Sequence, residues 1–403
     1  MDTPPKDLRT KPALRSPHFV AFPALGLAIS VVMVISKQYL FGAVVFSFTL
    51  YYALTVTVPY WLLRITQREV KAGKFASAAK LATFGVEWCR IFFVQQINLL
   101  PRSFAFDLLL KRHLSTSLMS LGRLDDAIKV DLEILAEIEK QGDIDGAAYI
   151  RGKLSSLYLA KGDFKEADRF ILSNIAILES AARNAEIQGD IKARVYIVHL
   201  ASALFSQAWV LETKKNYAAA EPIRRRDLVE IGRIFEEDAR EVMPHLSMLG
   251  RLLIHLKRYD EAETALMKVL DVRTKTYPPK HILISSAKHG VGLLYSEQGK
   301  LELAEPLLRE ALEIVVSNGP EHPEIPNFKK DLAKVLFKRG LYSEAEQLLI
   351  SAIDQMETQR CDTHIDLIEM LTPLAEIKRA TGDTKQADSL IARAEKIREQ
   401  ISG

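Results

Sequence analysis

Few residue patterns that carry chemistry occur in this 403-residue chain. It has two cysteines, Cys89 and Cys361, too few for a disulfide framework and consistent with a reducing compartment. No Gly-x-x-x-x-Gly-Lys-Ser/Thr, Gly-x-Gly-x-x-Gly or His-Glu-x-x-His is present, so phosphate-cradling loops, dinucleotide folds and zincins lack their signatures. Cys361-Asp-Thr-His364 has metal-like spacing, but one pair cannot close a four-ligand zinc shell and no second pair accompanies it. No metal, no cofactor and no catalytic residues are therefore expected. An excess of one charge is missing too: 54 basic and 51 acidic residues leave a formal charge of +3, without the concentrated basic face that nucleic-acid binding needs. Ser-, Gly- or Gln-rich tracts are absent.

Long apolar stretches, by contrast, open the chain. Residues 1–18, with four prolines and mixed charge, read as a disordered basic tail. Phe19–Ser36 gives 18 positions without a charge, Lys37-Gln38 interrupts, and Tyr39–Leu63 gives 25 more. At about 1.5 Å per helical residue these runs reach about 27 and about 37 Å, against a hydrocarbon core of about 30 Å. One straight span would overshoot about twofold, so 19–63 reads as a two-span transmembrane hairpin with its tip at Lys37-Gln38. A cleaved signal peptide followed by one span is the competing account, although the first run exceeds the usual apolar length and no Ala-x-Ala site succeeds it. Lys6, Arg9, Lys11 and Arg15 precede the hairpin and Arg64, Arg68, Lys71 and Lys74 come after it, which predicts cytoplasmic termini. Tyr60 and Trp61 fit an interfacial aromatic anchor at that end. Residues 64–101 then form a membrane-proximal segment. Within it the apolar stretch Leu81–Leu100 reads either as a helix on the bilayer surface or, preferably, as a capping helix packed on the next helix pair.

The remainder, 102–403, is periodic. Ala220, Ala262, Ala304, Ala345 and Ala387 recur at spacings of 42, 42, 41 and 42 residues, each in a similar setting: Tyr259-Asp-Glu-Ala262-Glu, Leu301-Glu-Leu-Ala304-Glu, Tyr342-Ser-Glu-Ala345-Glu. A Gly-containing break precedes several of them, as in Gly299-Lys300, and apolar residues stand at i, i+3, i+4 and i+7 on both sides. That pattern predicts two amphipathic helices joined by a tight turn. The small residue allows helices to cross closely. Further copies end on Ala127 and Ala167, and a looser one on Ala78. The longer spacing between Ala167 and Ala220 predicts longer helices, broken near Gly189-Asp190. Gly290-Val-Gly292 is read as close packing inside a helix.

The order of small residue, aromatic, Gly turn and Ala resembles the tetratricopeptide repeat. The 42-residue period, the linkers Tyr277-Pro-Pro-Lys-His281 and Asn318-Gly-Pro-Glu-His-Pro323, and the Ala-Glu-Pro segments at 220–222 and 304–306 resemble its kinesin-light-chain type. The resemblance implies an all-α, right-handed α-solenoid, here preceded by two transmembrane helices, whose concave side binds a protein or peptide. The family's paired groove Asn residues are replaced by His289-Gly290 and Lys330-Asp331, so the same cargo peptides are not implied.

In this family the first helix of each pair lines the groove. Its exposed positions lie three before, one after and four to five after the small residue. Counting from Ala208, Gly250, Gly292 and Ala333 selects Phe205, Trp209, Arg251, His255, His289, Lys330, Lys334 and Lys338. Such a cationic trough beside aromatic residues suits an acidic partner with an apolar anchor. A plainer account makes the three lysines a solvated stripe and Trp209 a packing residue. Arg224-Arg225-Arg226, on a second helix, is expected to be solvated on the outer face. The function expected from all this is a membrane-anchored interaction scaffold with cytoplasmic repeats. The alternative is a subunit or assembly factor of a membrane complex, its hairpin packing through small residues such as Gly26 and Gly42.

Overall fold

The computed structural model describes residues 58–91, 106–359 and 365–402. Among them are sixteen α-helices and no strand. The chain divides into two compact units, Met1–Ala181 and Ala182–Gly403. The expected transmembrane hairpin lies outside the described residues except for 58–63. Those six belong to a helix in which Pro59 and Leu63 are buried against protein, which corrects the expectation that a span runs through Leu63. Among the described residues one helix, Lys192–Thr213, has the length and apolarity to cross a membrane; its Tyr196, Ile197, Leu200 and Leu204 are packed inside the second unit.

In the first unit α1 (Val58–Lys71) packs on α2 (Phe75–Ile91) and α3 (Phe106–Ser120), followed by α4 (Leu124–Lys140), α5 (Ile144–Lys161) and α6 (Phe164–Ile187), which runs into the second unit. Ala78, Ala127 and Ala167 are all fully buried, so even the loosest copy of the repeat forms a helix pair, α1–α2, turning at Gly73. Leu118, Ile134, Ile138, Ala147, Ile150 and Leu154 form the core between α3, α4 and α5. One polar residue intrudes. Asp131, four residues after Ala127, is completely buried, with Lys153 Nζ 3.3 Å away; burial pushes its carboxyl upward.

The second unit pairs α7 (Lys192–Thr213) with α8 (Tyr217–Gly232), α9 (Met243–His255) with α10 (Tyr259–Thr276), α11 (Ile282–Glu297) with α12 (Leu301–Ser317), α13 (Ile325–Lys338) with α14 (Tyr342–Gln359), and α15 (Ile365–Ala380) with α16 (Thr384–Ser402). All five periodic alanines are fully buried. A side chain caps the start of two of their helices: Asn216 Oδ1 accepts from the Ala219 N–H at 3.4 Å, and Asp383 Oδ1 from the Gln386 N–H at 3.0 Å. The crossing is as close as the small residues imply: a Cβ on Gly250 would fall 2.7 Å from Leu266 Cγ, and one on Gly292 2.8 Å from Leu308 Cγ. Leu332, Ala333, Leu336, Ala345 and Leu349 share one core with Leu348 packed against it, as the periodicity predicts.

The turn needs a left-handed residue five before each alanine. Gly299, Gly340 and Gly382 supply it with φ of 75°, 80° and 92°. In two pairs a lysine stands there instead, Lys215 at φ 57° and Lys257 at φ 59°. On the outer helices a bridging position also repeats: Arg225 Nη2 reaches Glu261 at 2.8 Å, and Arg309 Nη1 reaches Glu344 at 2.6 Å in the corresponding place two pairs later.

Candidate functional site

Within the second unit, the first helices of successive pairs approach one another directly, α9 to α11, α11 to α13 and α13 to α15, so these helices converge on one side. At the position following the small residue these four helices carry Arg251, Leu293, Lys334 and Glu376, and α7 carries Trp209 at the same register. Trp209 is exposed, Arg251, Leu293 and Lys334 are half-buried, and Glu376 is exposed. Arg251 has no carboxylate partner among the described residues, and neither does Lys338 one turn beyond Lys334.

His255, at the end of α9, lies parallel to the Tyr217 ring with centroids 4.5 Å apart. Burial and the Arg251 charge hold its imidazole below the ordinary value. Burial also raises the Tyr217 hydroxyl, as do the nearby carboxylates of Glu369 and Glu212. Tyr217 opens a second helix, a position that groove counting on first helices does not reach. Its pairing with His255 builds an aromatic ledge beside Trp209's helix.

Two of the residues expected at the exposed surface, His289 and Lys330, are buried instead. His289 is 2% exposed: its ring stacks on Phe328 at 4.0 Å, and Nε2 lies 3.0 Å from Asp331 Oδ2. Burial lowers its pKa. Burial alone would raise the Asp331 carboxyl, but the His289 hydrogen bond and the Lys330 charge hold it well below the carboxylate range. Nε2–H is therefore the donor to an ionised Asp331, and Nδ1 is enclosed without a partner among the described residues. Lys330 is 7% exposed and donates to Glu369 Oε2 at 2.7 Å. Lys334 stands 4.0 Å from Asp331. The lysine stripe is thus largely neutralised by Asp331 and Glu369, and the cationic trough shrinks to Arg251 and Lys338. Phe205 is half-buried and serves as a platform: the Arg224 guanidinium lies over its ring at 4.3 Å, and His245 meets it edge-on at 5.3 Å.

Arg224 itself corrects the expectation of a solvated run. It is completely buried, donating through Nε to Glu212 at 2.7 Å and through Nη1 to the Phe205 carbonyl at 3.2 Å. Its neighbour Asp227 is equally buried and holds His245 Nδ1 at 2.8 Å. Arg225 and Arg226 are exposed, as expected. Among the described residues there is no cluster of three or more potential metal ligands; Cys361 and His364 lie outside them.

Comparison with known proteins agrees with this geometry. Residues 241–315 match the tetratricopeptide repeat family. No curated protein matches the chain. Among solved structures, the apo form of RapI aligns with 94% of this chain and 98% of its own at 14% identity and a TM-score of 0.58. A signal transduction ATPase with numerous domains, carrying a tetratricopeptide repeat sensor, from Pyrococcus horikoshii aligns with 95% of this chain and 53% of its own at 13% identity and a TM-score of 0.51. BtubC (BKLC) from P. vanneervenii aligns with 58% and 92%, at 18% identity and a TM-score of 0.46. At these identities the likeness is one of fold. Buried periodic alanines and glycine-tight crossings build a stack of tetratricopeptide-like helix pairs, and residues 241–315 within it match the tetratricopeptide repeat itself.

Proposed function

We propose that this chain is a membrane-anchored scaffold whose second unit presents its inner row to a peptide segment of another protein, and that it catalyses no reaction. The kinesin-light-chain character of the 42-residue period belongs to the same reading. The observation that carries it is the sequence of side chains Trp209, Arg251 and Leu293 at one register position of three successive first helices. A guanidinium without a carboxylate partner, set between two apolar groups, suits a segment with one acidic residue flanked by bulky apolar ones. Buried aromatics and arginine are the residue types that dominate binding energy, and Arg can clamp a carboxylate with two hydrogen bonds. The apolar run ahead of α1, residues 19–57, supplies the tether, which keeps the partner concentrated at one surface.

The test is photo-crosslinking in intact membranes from position 209 or 251 on the inner row, and from Val229 on α8, which is 65% exposed. The same protein should be captured from both inner positions, not from 229, and Arg251→Glu should abolish the capture. Equal capture from all three positions, or indifference to the charge reversal, rejects the groove. Release of the chain by alkaline carbonate rejects the anchor.

A further inference from the structure

The first helix of the described structure carries a face that the packing leaves unused. α1 buries Pro59, Leu63 and Thr66 against its neighbours. Its exposed residues are Trp61, Arg64, Ile65, Arg68 and Lys71, spaced i, i+3, i+4, i+7 and i+10, which is one stripe of a helix. Trp61 is 50% and Ile65 43% exposed. Past the Gly73 turn, Lys74 and Lys80 are exposed as well, and α2 turns Phe84 outward one turn beyond Lys80, 54% exposed. None of these five cations has a carboxylate partner among the described residues, whereas the arginines of the outer helices in the second unit are held: Arg225 by Glu221 and Glu261, Arg258 by Glu221, Arg309 by Glu305 and Glu344.

Unpaired arginines interleaved with an exposed indole and isoleucine make a poor face for bulk water and a good one for a charged, half-apolar boundary. The indole and the isoleucine gain by entering the acyl–headgroup region, while the long cationic side chains reach back to phosphates, which arginine can bind with two hydrogen bonds. The position along the chain selects the occupant. The uncharged run that starts at Tyr39 continues into the first six residues of this helix, so the stripe begins where the proposed anchor delivers the chain. We propose that α1 lies flat on an anionic lipid surface, Trp61 and Ile65 inserted and Arg64, Arg68 and Lys71 on the headgroups. The pair α1–α2 is then a foot that orients the first unit on the membrane as well as a cap for its stack. This rests on the membrane reading above but needs more than a tether, because an anchored chain could equally leave the bilayer with α1 upright.

The full chain, reconstituted into vesicles with brominated acyl chains, separates these cases. One variant, Trp88→Phe with Trp209→Phe, keeps Trp61 as its single tryptophan; a second replaces Trp61 by Phe as well and adds Arg68→Trp, placing the probe two turns on, about 10 Å along the axis. With α1 flat, both probes are quenched when phosphatidylserine is present, and quenching at position 68 falls severalfold in pure phosphatidylcholine or at high salt. Arg64→Glu with Lys71→Glu should remove it while the far-ultraviolet dichroism and melting point stay unchanged. An unquenched probe at position 68 in both lipid mixtures overturns the proposal, and points instead to an acidic protein as the occupant of the stripe. Carbonate treatment of the same vesicles reports on the anchor separately: a chain that resists extraction with position 68 unquenched keeps its anchor and loses its foot. A chain that is extracted although position 68 was quenched has the foot alone.

Discussion

Arg224 and Leu266 occupy the same place in successive helix pairs, four residues after the buried alanine, yet one is a cation and the other a core side chain. Leu308 and Leu349 repeat the apolar choice. A buried guanidinium is tolerable because Glu212, the Phe205 carbonyl and the Phe205 ring replace its water, with the buried Asp227 carboxylate 4.0 Å away. Glu212 is its one carboxylate at hydrogen-bond distance, so Glu212→Ala should cost about 3–5 kcal/mol in urea unfolding. Adding Arg224→Leu, the residue the repeat uses elsewhere, should recover much of that loss. A double variant as unstable as the sum of both changes would show that Arg224 is held by packing alone.

Lys215 and Lys257 adopt the left-handed backbone that glycine takes at the equivalent turn of other pairs. The conformation costs a side-chain-bearing residue about 1–2 kcal/mol, and glycine gives back about 0.5–1 kcal/mol through its freer unfolded state. Lys215→Gly and Lys257→Gly should each stabilise the chain by roughly 0.5–1 kcal/mol. A lowered denaturation midpoint in both would mean that the lysine side chains make contributions larger than the backbone strain.

His289 and Asp331 give stability a pH dependence of one sign. Burial keeps the folded imidazole below its ordinary 6.5, so between the two values the unfolded chain binds the proton more readily. Its contribution is complete above 6.5 and is lost as pH falls below it. The depressed Asp331 contributes above its ordinary 3.8 and loses that in stronger acid. His289→Gln should therefore flatten the decline in stability between neutrality and about pH 5, measured by denaturant titrations across that range. A variant whose curve runs parallel to that of the parent would exclude His289 as the titrating group.

Cys89 is fully buried, and burial, helped by Asp107, pushes its thiol up to about 12. The thiolate is the reactive form, so with Cys361→Ser making Cys89 the single thiol, the native chain should resist alkylation near about pH 8 and react promptly once unfolded in urea. Rapid labelling of the folded chain would contradict its burial between α2 and its neighbours.

The architecture can be read from residues because its cause is local. An alanine that must be small and returns every 41 or 42 residues leaves a periodic trace, and each periodic alanine is buried where that trace puts it. The break near Gly189 is equally visible, with α6 ending at Ile187 and α7 starting at Lys192. Features that depend on a distant partner leave no such trace. Arg224 looks like surface when taken with Arg225 and Arg226; only its register against Leu266 reveals burial. His289 and Lys330 sit on the face that counting selects, but Phe328 and Glu369, from the next two first helices, close over them. Tyr217 reaches the candidate site from a helix that groove counting does not consult. The Lys215 and Lys257 turns stay hidden because lysine does not advertise a left-handed backbone as glycine does.

Gly250 against Leu266 and Gly292 against Leu308 leave no slack inside a helix pair. Neighbouring pairs are joined partly by longer reaches, His289 to Asp331, Lys330 to Glu369 and Arg309 to Glu344. The joints are close as well: a Cβ on Gly290 would fall 3.2 Å from Leu266 Cδ2 of the preceding pair, and one core continues from Ala304 through Leu336 and Leu371 to Ile397. An overpacked crossing, such as a larger residue at Gly290 or Gly292, would therefore displace the pair before it as well as its own.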